Sequence, residues 1–116
     1  MYTKSGNHRV EIRESARGGK GNIALCHLLE QEQLAPHSRL LSRVIVQPGS
    51  SMGFHIHHDE GEFFYILSGV ARISDGSEEI LLYPGDTFFT ASGEGHSIEA
   101  SGDEALEYLA LILSAV

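Results

Sequence analysis

From Arg39 onward the chain is a succession of short apolar runs, each ended by residues that turn the backbone. The run "RLLSRVIV" stops at Gln47-Pro48-Gly49, "FFYIL" at Ser68-Gly69, "VARIS" at Asp75-Gly76, "EEILLY" at Pro84-Gly85-Asp86 and "TFFTA" at Ser92-Gly93. Proline presets φ for the first central turn position, and glycine accepts the positive φ that strains other residues. Runs so short and so regularly interrupted predict strands closing into an all-β sandwich or barrel. Asp75-Gly76 is a strong hairpin signal. The last run, "ALEYLALIL", could be helical by composition, but its position after these strand signals and the turn "SGDE" predict a closing strand.

The first 38 residues are less regular. "NIALCHLLE" is compatible with a strand, whereas "HRVEIRESARGGKG" reads as a charged arm with a glycine-rich bend. The predicted organisation is an N-terminal arm with the first strand or strands over residues 1–38, packing on a single β-barrel domain over residues 39–116. A chain of 116 residues can sustain one such core without staples.

Sixteen acidic against eight basic residues give a net charge of -8, and no run of Lys or Arg forms a patch. A phosphate backbone would be repelled, so nucleic acid is not an expected partner. Cys26 is the single cysteine. It cannot form an intramolecular disulfide and reads as a small buried side chain in a reducing compartment. No signal-like or membrane-length apolar segment occurs, which predicts a soluble cytoplasmic protein without a membrane partner.

The stretch "GFHIHHDEGEFFYILSG", Gly53 to Gly69, carries the chemistry. Strand side chains alternate faces, so His55 and His57 point the same way, about 6.6 Å apart at a rise of roughly 3.3 Å per residue. Two imidazoles so spaced can share an ion with bonds near 2.1 Å, about the length of a zinc–nitrogen bond. His58 then faces away, though it could replace His57 if the strand bulges there. An acid heading the apolar run "EFFYIL" is costly unless it meets water or a cation, which marks Glu62 as an oxygen ligand. His96, just past a glycine-flanked turn in "GEGHSIEA", could complete the set from a strand distant in sequence but sharing the barrel interior. By the same alternation Phe64 and Ile66 share the face of Glu62, and Ile98 that of His96, so these three should line the pocket. Phe63, Tyr65 and Leu67 face outward and need a cover, either the N-terminal arm or a second subunit, and a homodimer is the expectation. The other histidines, His8, His27 and His37, match no ligand spacing.

Taken together, the pattern resembles the cupin superfamily. Its first motif, G-x5-H-x-H-x3-4-E-x6-G, is met by Gly49, His55, His57, Glu62 and Gly69. Its second, G-x5-P-x-G-x2-H-x3-N, is met by Gly85, Gly93 and His96, with Ala91 in place of the proline and Ala100 in place of the asparagine. The layout is similar to small single-domain, conserved-barrel cupins of the mannose-6-phosphate isomerase-like type, a likeness of fold and not of chemistry. The resemblance implies an antiparallel jelly-roll barrel, a double-stranded β-helix, in which His55, His57, Glu62 and His96 bind one divalent transition metal. Imidazole and carboxylate suit Mn, Fe, Co, Ni or Zn alike.

Such a centre would leave positions open for a small polar molecule such as a sugar, keto acid or dicarboxylate. A metal-dependent isomerase, decarboxylase or dioxygenase is one expectation. A non-catalytic binding or sensing protein using the same pocket is the alternative, and a metal that only pins strands together is a third. No catalytic residue beyond the ligands is marked. Lys20 and the arginines at 9, 13, 17, 39, 43 and 72 are candidates to hold an anion, with Arg43, on the strand before the motif, the first choice.

Overall fold

The computed structural model describes residues 1–114. Its strands are β1 (Val10–Glu14), β2 (Asn22–His27), β3 (Ser38–Val46), β4 (Ser51–Ile56), β5 (Glu60–Ser68), β6 (Val70–Ser74), β7 (Glu79–Leu82), β8 (Thr87–Thr90), β9 (Gly95–Ser101) and β10 (Leu106–Ser114). Two short 3-10 turns, Ala16–Gly18 and Gln31–Gln33, separate the first three strands. Among the described residues no helix is long and apolar enough to cross a membrane.

The strands form two antiparallel sheets, one of six strands in the order β1-β2-β3-β10-β5-β8 and one of four in the order β4-β9-β6-β7. Neighbours in each sheet are often far apart in sequence, and that brings the two motif halves together. β4 pairs with β9, placing His55 opposite His96, while β5 lies between β10 and β8 and places Glu62 opposite Ile112 and Thr90.

Alternation decides what each strand buries. From β5 the residues Phe64 and Ile66 point inward, from β6 Ala71 and Ile73, from β9 Ile98 and Ala100, and from β10 Leu106, Tyr108 and Ala110. They meet Val44 and Val46 of β3 and Ile23 and Leu25 of β2 in one apolar layer. Each fully buried Phe, Ile or Leu contributes about 1.5–3 kcal/mol relative to exposure. The closing run "ALEYLALIL" is the strand β10, central in the larger sheet because both of its faces are apolar. Gly69, the last glycine of the first motif, has φ 76°, and a Cβ there would overlap the carbonyl of Ala105. Only glycine fits that turn.

The segment read as a charged arm contains β1, an edge strand paired with β2 in register Val10 to Cys26. Its apolar residues Val10 and Ile12 are exposed, so burial does not hold it in place. Backbone pairing with β2 and polar links do: Glu11 meets His27 Nε2 at 2.9 Å, and His27 Nδ1 meets the buried Ser42 hydroxyl at 2.8 Å. Hydrogen bonds from Arg13 and then His27 hold the Glu11 carboxyl down at about 2, against an ordinary 4.5. A carboxyl depressed on folding stabilises the fold fully above its unfolded pKa, and that contribution is lost as pH falls through the folded value. Acid titration followed by circular dichroism should therefore show Glu11→Gln losing less stability than the parent protein between pH 4.5 and 2.

Candidate metal centre

β4 and β9 are in register at Met52 opposite Ile98, and again at His55 opposite His96, so two residues of β4 oppose one of β9 between them. This bulge lets both Met52 and His55 face the interior although they are three positions apart. Beyond it the alternation is regular: His55 inward, Ile56 exposed, His57 buried and His58 exposed. The backbone ties at the strand end are His57 N–H to the Glu94 carbonyl at 3.0 Å and Gly93 N–H to the His57 carbonyl at 2.7 Å. They fasten the first motif to the glycine turn of the second. Ala91, where the motif has proline, uses the N–H that proline lacks to donate to Glu94 at 2.9 Å.

His55, His57, Glu62 and His96 converge so that one ligand atom from each lies within 4.8 Å of the others. His57 Nε2 is 3.0 Å and His96 Nε2 3.2 Å from Glu62 Oε1, and the two Nε2 atoms are 3.4 Å apart. Ligands at bonds of about 2.1 Å stand roughly 3.0 Å apart at right angles and roughly 3.4 Å apart at a tetrahedral corner, so these edges fit one transition-metal ion.

The outward nitrogens explain why the inward ones converge. His55 Nδ1 donates to the Gly53 carbonyl at 2.9 Å, His57 Nδ1 meets Glu60 Oε1 at 2.8 Å, and His96 Nδ1 meets the Thr90 hydroxyl at 2.6 Å. Glu60 is itself gripped by Arg39 through bonds of 2.6 and 2.8 Å. Fixing Nδ1 in this way sets ring orientation and leaves Nε2 for a metal. His96 is fully buried, its ring 4.9 Å from that of Phe64.

The electrostatics favour a cation. Burial opposes the Glu62 charge, yet hydrogen bonds from His57 and His96 outweigh it and hold the carboxyl below its ordinary value. The hydrogen bond to Glu62, with a further one to Glu60, raises His57, whereas burial, reinforced by the charges of His96, His57 and Arg17, lowers His55. Arg39, and after it His57, holds Glu60 at about 2. A carboxylate buried among imidazoles is the environment a divalent ion stabilises.

A cavity of about 80 Å³ opens beside the cluster, lined by His55, His57 and Glu62 and also by Arg13, Arg17 and Arg39. Arg43 does not line it. On β3 the inward positions are Ser42, Val44 and Val46, so Arg43 lies on the outer face and pairs with Glu107 at 3.2 Å. Arg39 has the same parity but begins the strand, where its long side chain reaches over the rim to Glu60. Ile66 and Ile98 are fully buried in the core rather than on the cavity wall, and Phe64 stands behind His96. Met52 and Tyr108, which do line the cavity, were not singled out by the sequence. Burial, helped by the charge of Glu62, pushes the Tyr108 phenol up, so it keeps its proton.

A family model for the cupin domain matches residues 42–112, more than half of the chain. The chain belongs to the cupin family. This cupin is 41% identical over 113 residues to a Thermotoga maritima protein named oxalate-binding protein, an alignment covering 97% of the chain and 93% of the relative. A crystal structure of a predicted oxalate decarboxylase from Thermotoga maritima superposes with a TM-score of 0.92 at 40% identity, covering 98% of this chain and 99% of that one. Oxalate decarboxylase OxdC of Bacillus subtilis is 37% identical over 71 residues, which is 57% of this cupin but 18% of the enzyme.

Two substitutions and a control test the ligand assignment. Metal content after dialysis against limiting metal, read by inductively coupled plasma mass spectrometry, should collapse in His96→Ala and stay unchanged in His58→Ala. Thr90→Val, which removes the partner of His96 Nδ1, should weaken metal binding by about 10- to 100-fold.

Proposed function

We propose that this cupin binds a small dicarboxylate of the oxalate class at a divalent transition metal held by His55, His57, Glu62 and His96. The observation that carries the reading is the cavity itself, lined by three members of the ligand cluster together with three arginines. A cavity of about 80 Å³ is well above the roughly 10–15 Å³ that admits a single water, and it restricts the ligand to a small molecule. Guanidinium groups match carboxylates in shape and charge. The name of the Thermotoga maritima relative points to the same ligand class.

When bound, the metal would supply a Lewis acid for carboxylate oxygens. The chain's own residues orient and neutralise. Glu60 fixes His57 and Thr90 fixes His96, while Arg13 and Arg39, each paired with a glutamate, and Arg17, unpaired among the described residues, bring positive charge to the cavity of a protein of net charge -8. Apart from the ligands, the ionisable groups on the cavity wall among the described residues are those arginines and Tyr108. No further histidine or carboxylate among the described residues lines the cavity to act as general acid or base, which favours binding over turnover. Decarboxylation is the second reading, favoured by the match to OxdC.

We further propose a homodimer formed through the outer face of the six-stranded sheet. Phe89, Phe63, Leu111 and Leu41 make one apolar row across β8, β5, β10 and β3, and Tyr65, Leu67 and Leu113 are exposed beside it. The buried free thiol of Cys26 is compatible with a cytoplasmic setting.

Isothermal titration of the metal-loaded protein should show oxalate binding that disappears on chelation and returns with metal. Carbon-13 oxalate left with the protein should yield no formate. Formate would establish the second reading, and oxalate binding indifferent to metal would remove the first. Sedimentation equilibrium should give a dimer for the parent protein and a monomer for Tyr65→Glu.

A further inference from the structure

In a chain with twice as many acids as bases, half of the eight basic side chains gather at one place. Arg13, Arg17 and Arg39 line the metal cavity, and Arg9 joins Arg13 and Arg39 around an adjoining cavity of about 170 Å³. Three of the four already have carboxylate partners: Arg9 holds Glu30 at 3.0 Å, Arg13 holds Glu11 at 2.9 Å and Arg39 holds Glu60 at 2.6 Å. Arg17 has no side-chain hydrogen bond or ion pair among the described residues. It is the cavity's uncompensated positive charge.

Its position is set by the backbone. Ser15 and Arg17 both adopt left-handed conformations, with φ 47° and 53°, on either side of the buried Ala16. The turn is closed by N–H bonds from Ser15 to the Gly21 carbonyl at 2.8 Å, from Gly18 to Ser15 at 2.9 Å and from Gly19 to Ala16 at 2.9 Å. It is pressed directly onto β4, because a Cβ on Gly53 would overlap the Arg17 carbonyl and one on Gly19 the Ser51 carbonyl. Gly53 is also the residue whose carbonyl orients His55. Strained non-glycine conformations persist where surrounding structure over-determines them, and they cluster at ligand sites. The turn so held makes the exposed Arg17 one of the residues lining the cavity that His55, His57 and Glu62 also line.

We propose that Arg17 is the specificity-determining residue of the cavity: with one carboxylate of a ligand at the metal, Arg17 receives the second, so that the site selects a short dianion over a monoanion of similar size. The proposal rests on the metal–dicarboxylate reading above. A neutral hydroxyl in place of the second carboxylate would leave Arg17 unpaired, whereas oxalate gives it a planar, charge-assisted partner.

The test is titration of oxalate and of glycolate into metal-loaded parent protein and the variants Arg17→Gln, Arg17→Lys and Arg43→Gln, with metal content and melting temperature measured on each. Arg17→Gln should weaken oxalate binding by about 10- to 100-fold and change glycolate binding by less than about threefold, at unchanged metal content. Arg17→Lys should recover part of the loss, and Arg43→Gln should bind as the parent does. If the parent binds oxalate and Arg17→Gln binds it equally well, the role of Arg17 is overturned while the metal–dicarboxylate reading stands. Equal loss of both ligands, or loss of metal, in Arg17→Gln would make the residue merely structural and overturn it too. A metal-loaded parent that fails to bind oxalate overturns the underlying reading and this inference with it.

Discussion

Three imidazoles and a carboxylate are packed into the edge of an apolar layer, and every one of the imidazoles is aimed from behind by a hydrogen bond to a second residue. That polar cluster is what the rest of the structure has to accommodate. Buried acceptors without donors or a cation would cost several kcal/mol, since desolvation of a charged group is repaid only by close partners. Around Glu62 the partners come from both sheets: His57 and His96 from the four-stranded side, and Thr90 and Ile112 as cross-strand neighbours on the six-stranded side. The ligand set thereby joins the two sheets at one end, as the apolar layer of Phe64, Ile66, Ile73, Ile98 and Leu106 joins them in the middle.

Much of this was legible because it follows from strict periodicity and turn chemistry. Alternation placed His55 and His57 on one face and His58 on the other, and placed Glu62, Phe64 and Ile66 together, as the burial pattern of β5 has them. Proline and glycine turns marked the ends of β3, β5, β6, β7 and β8. The illegible parts have specific causes. β1 reads "VEIRE", whose two apolar residues remain exposed at a sheet edge, so no burial pattern announces it. On β3 the run "RLLSRVIV" is apolar on both faces, and the buried Ser42, satisfied by His27, hides which parity points inward. Arg43, the first choice to hold an anion, lies on the outer face. Ile98 and Ile66 follow the right parity but lie deeper than the cavity, which alternation cannot register because it carries no depth along the barrel axis.

The arginines at the cavity come from outside both motifs. Arg13 and Arg17 belong to the first strand and the loop after it, and Arg39 to the start of β3. No spacing rule connects them to His55, because the contact depends on a loop seated against β4 at Gly53. The ligand cluster is thus written in a local pattern of the chain, whereas the arginine part of the cavity wall is set by tertiary contacts, most of them made by the less regular N-terminal segment. Relatives sharing the motifs can differ in that wall, so the family fold alone does not fix the ligand.

The central claim, one transition metal held by His55, His57, Glu62 and His96, is tested most directly by diffraction from crystals of untagged protein, collected on either side of the absorption edge of the metal it contains. The account predicts a single anomalous peak about 2.0–2.3 Å from Nε2 of each of the three histidines and from a carboxylate oxygen of Glu62. A peak elsewhere, or none between these four side chains after reconstitution with Mn, Fe, Co, Ni and Zn in turn, would contradict it.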